Sequence, residues 1–382
     1  MRCILAATIA SCAVQSARAN AQAHAPDAAP LGIWLEPEPT EVEPMVGDVV
    51  GEGASRSPTR VSVSLLAQGR TPLRHSIPLL EPPSTGETEA FGALMDALAS
   101  AGIAREVHAD LLHWQARAGT PPPALVRRPD IVELNRQGDC GAAPSIGRYV
   151  SPCHPDVHAA LVQLATEAGR QMQADTRLTA RCRLSPTEML AFSDAQRERS
   201  ILCVGLDPLD VPLRAVAGGY GAYGAQWWEW RLTVLTGVLA RFVAAYRAEH
   251  AGGTVSAAVL AGTYRDPLWQ RAYAAEDWLT WILDDLIDGV LLEGAWEEGS
   301  EDRDYASALG IIAKTGKEIE IGVMLRAPSK EGDTPLARQQ EIVLAQGRAP
   351  DYWMIEVNDE PGLKAAQEFL AAQPAPQPAG NQ

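Results

Sequence analysis

Gly289-Val290-Leu291-Leu292-Glu293-Gly294 reads as a short apolar strand that ends in a single carboxylate. A run this brief and this continuously apolar suits a strand covered on both faces, as in a parallel sheet. Working outward from it, eight β-branched or aliphatic runs recur: 31–35, 60–68, 105–112, 176–184, 254–260, 288–293, 318–326 and 352–357. Amphipathic helical runs alternate with them at 87–101, from Pro155 onward, at 186–202, 227–250, 276–286, 302–314, 335–346 and 363–372. Parallel strands need crossovers of this kind. Eight such units predict an α/β fold, a closed (β/α)8 TIM barrel in one domain over 31–370, with its chemistry at the C-terminal strand ends. The first unit looks eroded, because 37–58 is rich in Pro, Glu and Gly where a helix is due. No repeat period appears, which disfavours a solenoid.

Composition narrows the function. The 382 residues are 46% hydrophobic, enough for one large core, and carry a formal charge of -16. No basic face large enough to neutralise phosphates is visible, so nucleic acid is excluded as a partner. Arg2, the apolar stretch 4–14 and Ala17-Arg18-Ala19 read as an export signal over 1–19, which predicts a periplasmic or secreted protein. That stretch is too short to span a bilayer. An alternative is lipoprotein processing at Cys12. The remaining cysteines, Cys140, Cys153, Cys182 and Cys203, allow three pairings, with Cys140–Cys153 able to close a loop or all four left as thiols. Residues 371–382, rich in Pro, Ala and Gln, are expected to be a disordered tail.

The candidate site follows from the strand ends. Carboxylates at the C-terminal strand ends are the groups a barrel enzyme would use as acid, base or nucleophile. Glu293 and Glu356 close the sixth and eighth strands, and Glu36 follows the first, so these three are the candidate catalytic residues. Asp110 lies just inside the third strand and reads more readily as structural. Arg181 and Arg183 fall on one face by strand period; they either bind a carboxylate or sulfate of an acidic ligand or neutralise Glu293 in a structural network. Arg326 ends the seventh strand, and His113 with Trp114 closes the third; with Trp296 beside Glu293, these complete the candidate substrate-binding set. Residues 218–224, Gly-rich with two tyrosines, form a candidate lid, and the long loop 120–152 is a second. Neither the histidines nor the cysteines show metal-ligand spacing, so no metal and no cofactor is expected.

Several stretches resemble the glycosyl hydrolase-like 10 family of bacterial barrel proteins. "VSVSLLAQGRTPLRHS" is similar to that family's second strand and its Gly-x-x-x-Tyr-x-Ser turn, with Leu73 at the tyrosine and Ser76 kept. "GIAREVHADLLHW", "YVSPCHPDVHAALVQLATE", "FSDAQR", "WWEWRLTVLTGVLARFV" and "AEDWLTWILDDLIDGVLLEGAW" resemble further family segments, in family order, from about Leu31 to Glu356. The resemblance implies a carbohydrate-active barrel. One departure stands out: the family's fourth strand ends in an Asp-rich turn, whereas here the chain reads Arg177-Leu178-Thr179-Ala180-Arg181-Cys182-Arg183. The expectation is therefore a glycoside hydrolase-like protein acting on an extracytoplasmic poly- or oligosaccharide, possessing an acidic character if the arginines bind it. The alternative is a carbohydrate-binding pseudoenzyme that has lost the fourth-strand acid.

Overall fold

The strands meet edge to edge and close. In the computed structural model, β1 (Leu31–Leu35), β2 (Arg60–Leu66), β3 (Ala104–Asp110), β6 (Arg177–Arg181), β7 (Val255–Leu260), β8 (Gly289–Glu293), β9 (Glu320–Arg326) and β10 (Tyr352–Val357) form a closed parallel barrel in chain order. The structure describes residues 29–35, 58–67, 69–115, 121–140, 147–185, 189–211, 221–264, 274–294, 296–297, 304–330 and 332–373. The leader, residues 36–57 including Glu36, residues 218–220 of the candidate lid and most of the tail lie outside them, whereas 221–224 of that candidate open a helix. Helices α1 (Thr85–Ser100), α2 (Pro123–Arg127), α3 (Pro155–Gln171), α4 (Asp194–Val204), α5 (Gly221–Glu249), α6 (Trp278–Leu283), α7 (Asp304–Thr315), α8 (Leu336–Leu344) and α9 (Glu360–Ala372) complete the described helical layer.

Local chemistry sets where helices begin. Ser84 caps α1 in a capping box: Glu87 N–H donates to Ser84 Oγ, and Ser84 N–H donates to the Glu87 carboxylate. Pro155 opens α3, where its missing N–H costs nothing. Among the described residues no helix is long and apolar enough to cross a membrane.

Two expectations change. The third strand ends at Asp110, and His113 and Trp114 belong instead to β4 (His113–Gln115), which pairs antiparallel with β5 (Arg148–Tyr149). The long segment between β3 and α3 thus folds back on itself. β2 alternates Val61, Val63 and Leu65 with serines, the pattern of a half-buried strand, yet it is buried throughout. Val61, Val63 and Leu65 pack outward under the helices, while Arg60, Ser62 and Ser64 alternate to the other face. The same division runs around the barrel. Trp353 and Ile355 join the outer core, and Trp34, Ala258, Leu291, Met324, Tyr352 and Met354 form a separate apolar cluster in the bore. Gly322 makes room there, because a Cβ on it would lie 2.2 Å from the Tyr352 ring.

Arginine–carboxylate clusters cap this inner plug at both ends. At the N-terminal base, Arg60 lies 3.2 Å from Glu320 and 3.5 Å from Glu106, and Arg177 forks onto Glu320. Thr179 Oγ1 donates to Glu106 at 2.8 Å, and the Arg60 guanidinium lies 4.0 Å above the Tyr352 ring.

Candidate functional site at the C-terminal mouth

Strand register puts the mouth residues at matching heights. Asp110 stands beside Arg181, Leu260 beside Glu293, and Arg326 beside Glu356, with Trp34 on the far side of Glu356. Arg181 is the hub. Its Nε donates to Glu293 Oε1 at 2.9 Å, while Nη2 lies 3.5 Å from Glu356 Oε1 and Nη1 lies 3.7 Å from Asp110 Oδ2. A long guanidinium arm on β6 therefore reaches β8 and β10 across the barrel. Beneath it lies Trp34, fully buried, 5.3 Å from the guanidinium and stacked on His108 at 3.7 Å. His108 Nδ1 in turn is 3.0 Å from Ser62 Oγ.

Arg183 lies two residues past the strand and still faces the cluster. Its Nη2 donates to Glu293 Oε2 at 2.7 Å, and its Nη1 lies 3.4 Å from Glu276 Oε1. Burial alone would raise the pKa of Glu293, but Arg181 and Arg183 outweigh it and hold that carboxyl at about 2. Glu276 goes the other way: burial raises its pKa, with Arg183 and the Leu260 N–H opposing. Glu356 is held between Arg181 and Arg326, whose Nε lies 3.1 Å from it.

Of the predicted residues, Glu293, Glu356, Arg181, Arg183 and Arg326 come together at this mouth. His113 stands at its edge: its backbone N–H donates to Asp110 Oδ1 at 3.1 Å, and its ring packs 4.7 Å from Tyr149. The two tryptophans are corrections. Trp114 and Trp296 are buried, and each spends its indole N–H on a backbone carbonyl, Leu111 O at 3.0 Å and Met324 O at 2.7 Å. Neither presents a ring face for a sugar. Glu276 was missed, because it belongs to no strand. The four cysteines Cys140, Cys153, Cys182 and Cys203 are free thiols.

At or past the strand ends, Arg326 and Glu297 are both exposed. Glu293 and Glu356 are buried, whereas the Arg326 side chain is 69% exposed. Its Nη1 and Nη2 bond to no described residue, since only Nε is engaged. A cavity of about 730 Å³ lies at the opposite end, between α7 and the starts of β9 and β10. Of its charged residues, Lys317 pairs with Asp285, Arg348 with Asp351, and Glu320 with the base arginines.

No family model matches this chain, and no curated protein matches it. Solved structures do. The glycoside hydrolase domain of PgaB (BpsB) from Bordetella bronchiseptica superposes with a TM-score of 0.61 at 14% identity, over 91% of this chain and 100% of that domain. What the two share is the closed (β/α)8 barrel. The β-galactosidase from Rahnella sp. R3 follows at 0.58 and 10% identity, over 91% of this chain and 56% of its own. That from Bacillus circulans sp. alkalophilus gives 0.55 and 11%, over 88% and 51%. The chain thus spans little more than half the length of those galactosidases. At these identities the likeness establishes architecture alone.

Proposed function

We propose that this protein is an exported, glycoside hydrolase-like barrel of the glycosyl hydrolase-like 10 type that binds an acidic oligosaccharide at its C-terminal mouth without cleaving it. The observation that carries this reading is Arg326. Among the described residues it is an exposed cation of the mouth, anchored by one nitrogen on Glu356 and with two terminal nitrogens left over. A planar fork with two spare donors matches a carboxylate or sulfate group. The buried carboxylates beneath it are already committed. Glu293, held at about 2, is deprotonated at neutral pH and has no proton to give a leaving group. Arg181 occupies the space between Glu293 and Glu356, where an acid/base pair would need to embrace a sugar.

Hydrolysis is the second reading, favoured by one observation: Glu293 and Glu356, from β8 and β10, converge on a single guanidinium. A panel of uronate-bearing, sulfated and neutral oligosaccharides separates the two, read by calorimetry and by release of reducing ends. The expected result is binding of acidic members alone, with no release. Release by the wild type that disappears in Glu293→Gln would favour hydrolysis, and binding of no glycan would sink both readings.

A further inference from the structure

The segment 274–276 belongs to no barrel strand, yet it is fixed at three points. Ala274 O accepts the Leu184 N–H at 2.9 Å, just past β6. Glu276 Oε2 accepts the Leu260 N–H at 3.0 Å, at the end of β7. Glu276 Oε1 meets Arg183 Nη1 at 3.4 Å. Between the first anchor and the other two, Ala275 adopts φ +54°, in the left-handed region, and is fully buried. An L-residue with a side chain holds that conformation only when its surroundings over-determine it. Here they turn Glu276 inward until it has no exposed surface.

The contacts close a ring. Leu260 on β7 is the register neighbour of Glu293 on β8. From Leu260 the path runs through its N–H to Glu276, through Glu276 to Arg183, and through Arg183 Nη2 to Glu293 Oε2 at 2.7 Å. Arg183 has left the sheet, since β6 ends at Arg181, so the barrel ladder does not hold it. Glu276 is what ties its guanidinium back to the end of β7.

We propose that Glu276 is a positioning residue: it moors Arg183 to the end of β7 and so fixes the direction of the Glu293 carboxylate at the mouth. Its consequence for ligand binding rests on the mouth reading above; its effect on Glu293 does not. The test uses the full chain with ¹³C-labelled glutamate carboxyls and follows the Glu293 titration by NMR in wild type and Glu276→Gln. Glutamine keeps the size of the side chain and can still accept the Leu260 N–H, but it loses the attraction for Arg183. The Glu293 midpoint is expected to rise by about one pH unit, as the 2.7 Å bond from Arg183 loosens. Acidic-glycan binding should weaken roughly tenfold.

Glu276→Asp keeps the charge but shortens the arm by one methylene, drawing the carboxylate away from Arg183. It should give a smaller rise in the same direction, and it carries the test should Glu276→Gln fail to fold. An unmoved or lowered midpoint in the variant that folds overturns the proposal, whether or not glycan binding changes. Absence of glycan binding in the wild type would remove the mouth reading and leave the midpoint to decide the role of Glu276.

Discussion

The two ends of the barrel carry clusters built from the same residue types, and they end up with different capacities. At the base, Arg60 and Arg177 share Glu320, and Glu106 takes the remaining contacts of Arg60 and Thr179. What capacity is left there, Nε of Arg60 and Nε of Arg177, is buried where no ligand reaches. At the mouth, Arg181 and Arg183 are consumed by Glu293, Glu276 and Glu356 in the same way. Arg326 alone of the mouth arginines is largely solvent-facing with donors unspent among the described residues. Buried ion pairs inside a barrel therefore say little about chemistry. Unspent hydrogen-bonding capacity that faces water is what separates a site from a strut.

The largest effect is expected where a strut is cut. Glu320→Ala strips both base arginines of a shared carboxylate and should cost about 4 kcal/mol, read by urea unfolding, with glycan binding unaffected. A cost below about 1 kcal/mol would erase the structural reading of the base. Next comes the hub of the mouth. Arg181→Met leaves Glu293 without one of its two cations, and the loss should be on the order of 3 kcal/mol at pH 7. The sign of its pH dependence follows from the depressed Glu293 pKa. The wild-type advantage is present above the ordinary value of 4.5 and is lost as pH falls towards about 2. Unfolding curves of the two proteins should converge over that window, and a gap independent of pH would break the assignment. The smallest effect on the fold belongs to Arg326→Gln: less than about 1 kcal/mol, because an exposed pair contributes little. The same change should weaken acidic-glycan binding roughly tenfold. Equal binding by the variant would move the ligand away from Arg326.

How much of this was legible in the sequence depended on whether the deciding contact was local. The eight strands and their closure could be read, because apolar runs and crossover helices repeat along the chain. Glu293 was legible for the same reason: it ends a strand. For Arg181 and Arg183, spacing gave a shared direction but could not choose between ligand and network; their shared partner Glu293 is more than a hundred residues away, and the network takes them. His113 and Trp114 were misplaced because β4 pairs with β5, a partner found only after the long excursion. Glu276 had no strand to announce it, since its direction comes from a left-handed Ala275. The base cluster did leave a trace. Arg60, Glu106, Arg177 and Glu320 sit on parallel strands that are usually apolar on both faces, and polar residues in that setting point into the bore.

Trp34 lies across the bore with His108 stacked against it, and Leu291, Met324, Met354 and Tyr352 fill the space around and below. The barrel is consequently a blind vessel, corked by an indole one layer beneath its rim. A polymer cannot thread such a protein from end to end. It can lie over the lip or dip a terminus in, and whatever enters has to leave by the same door.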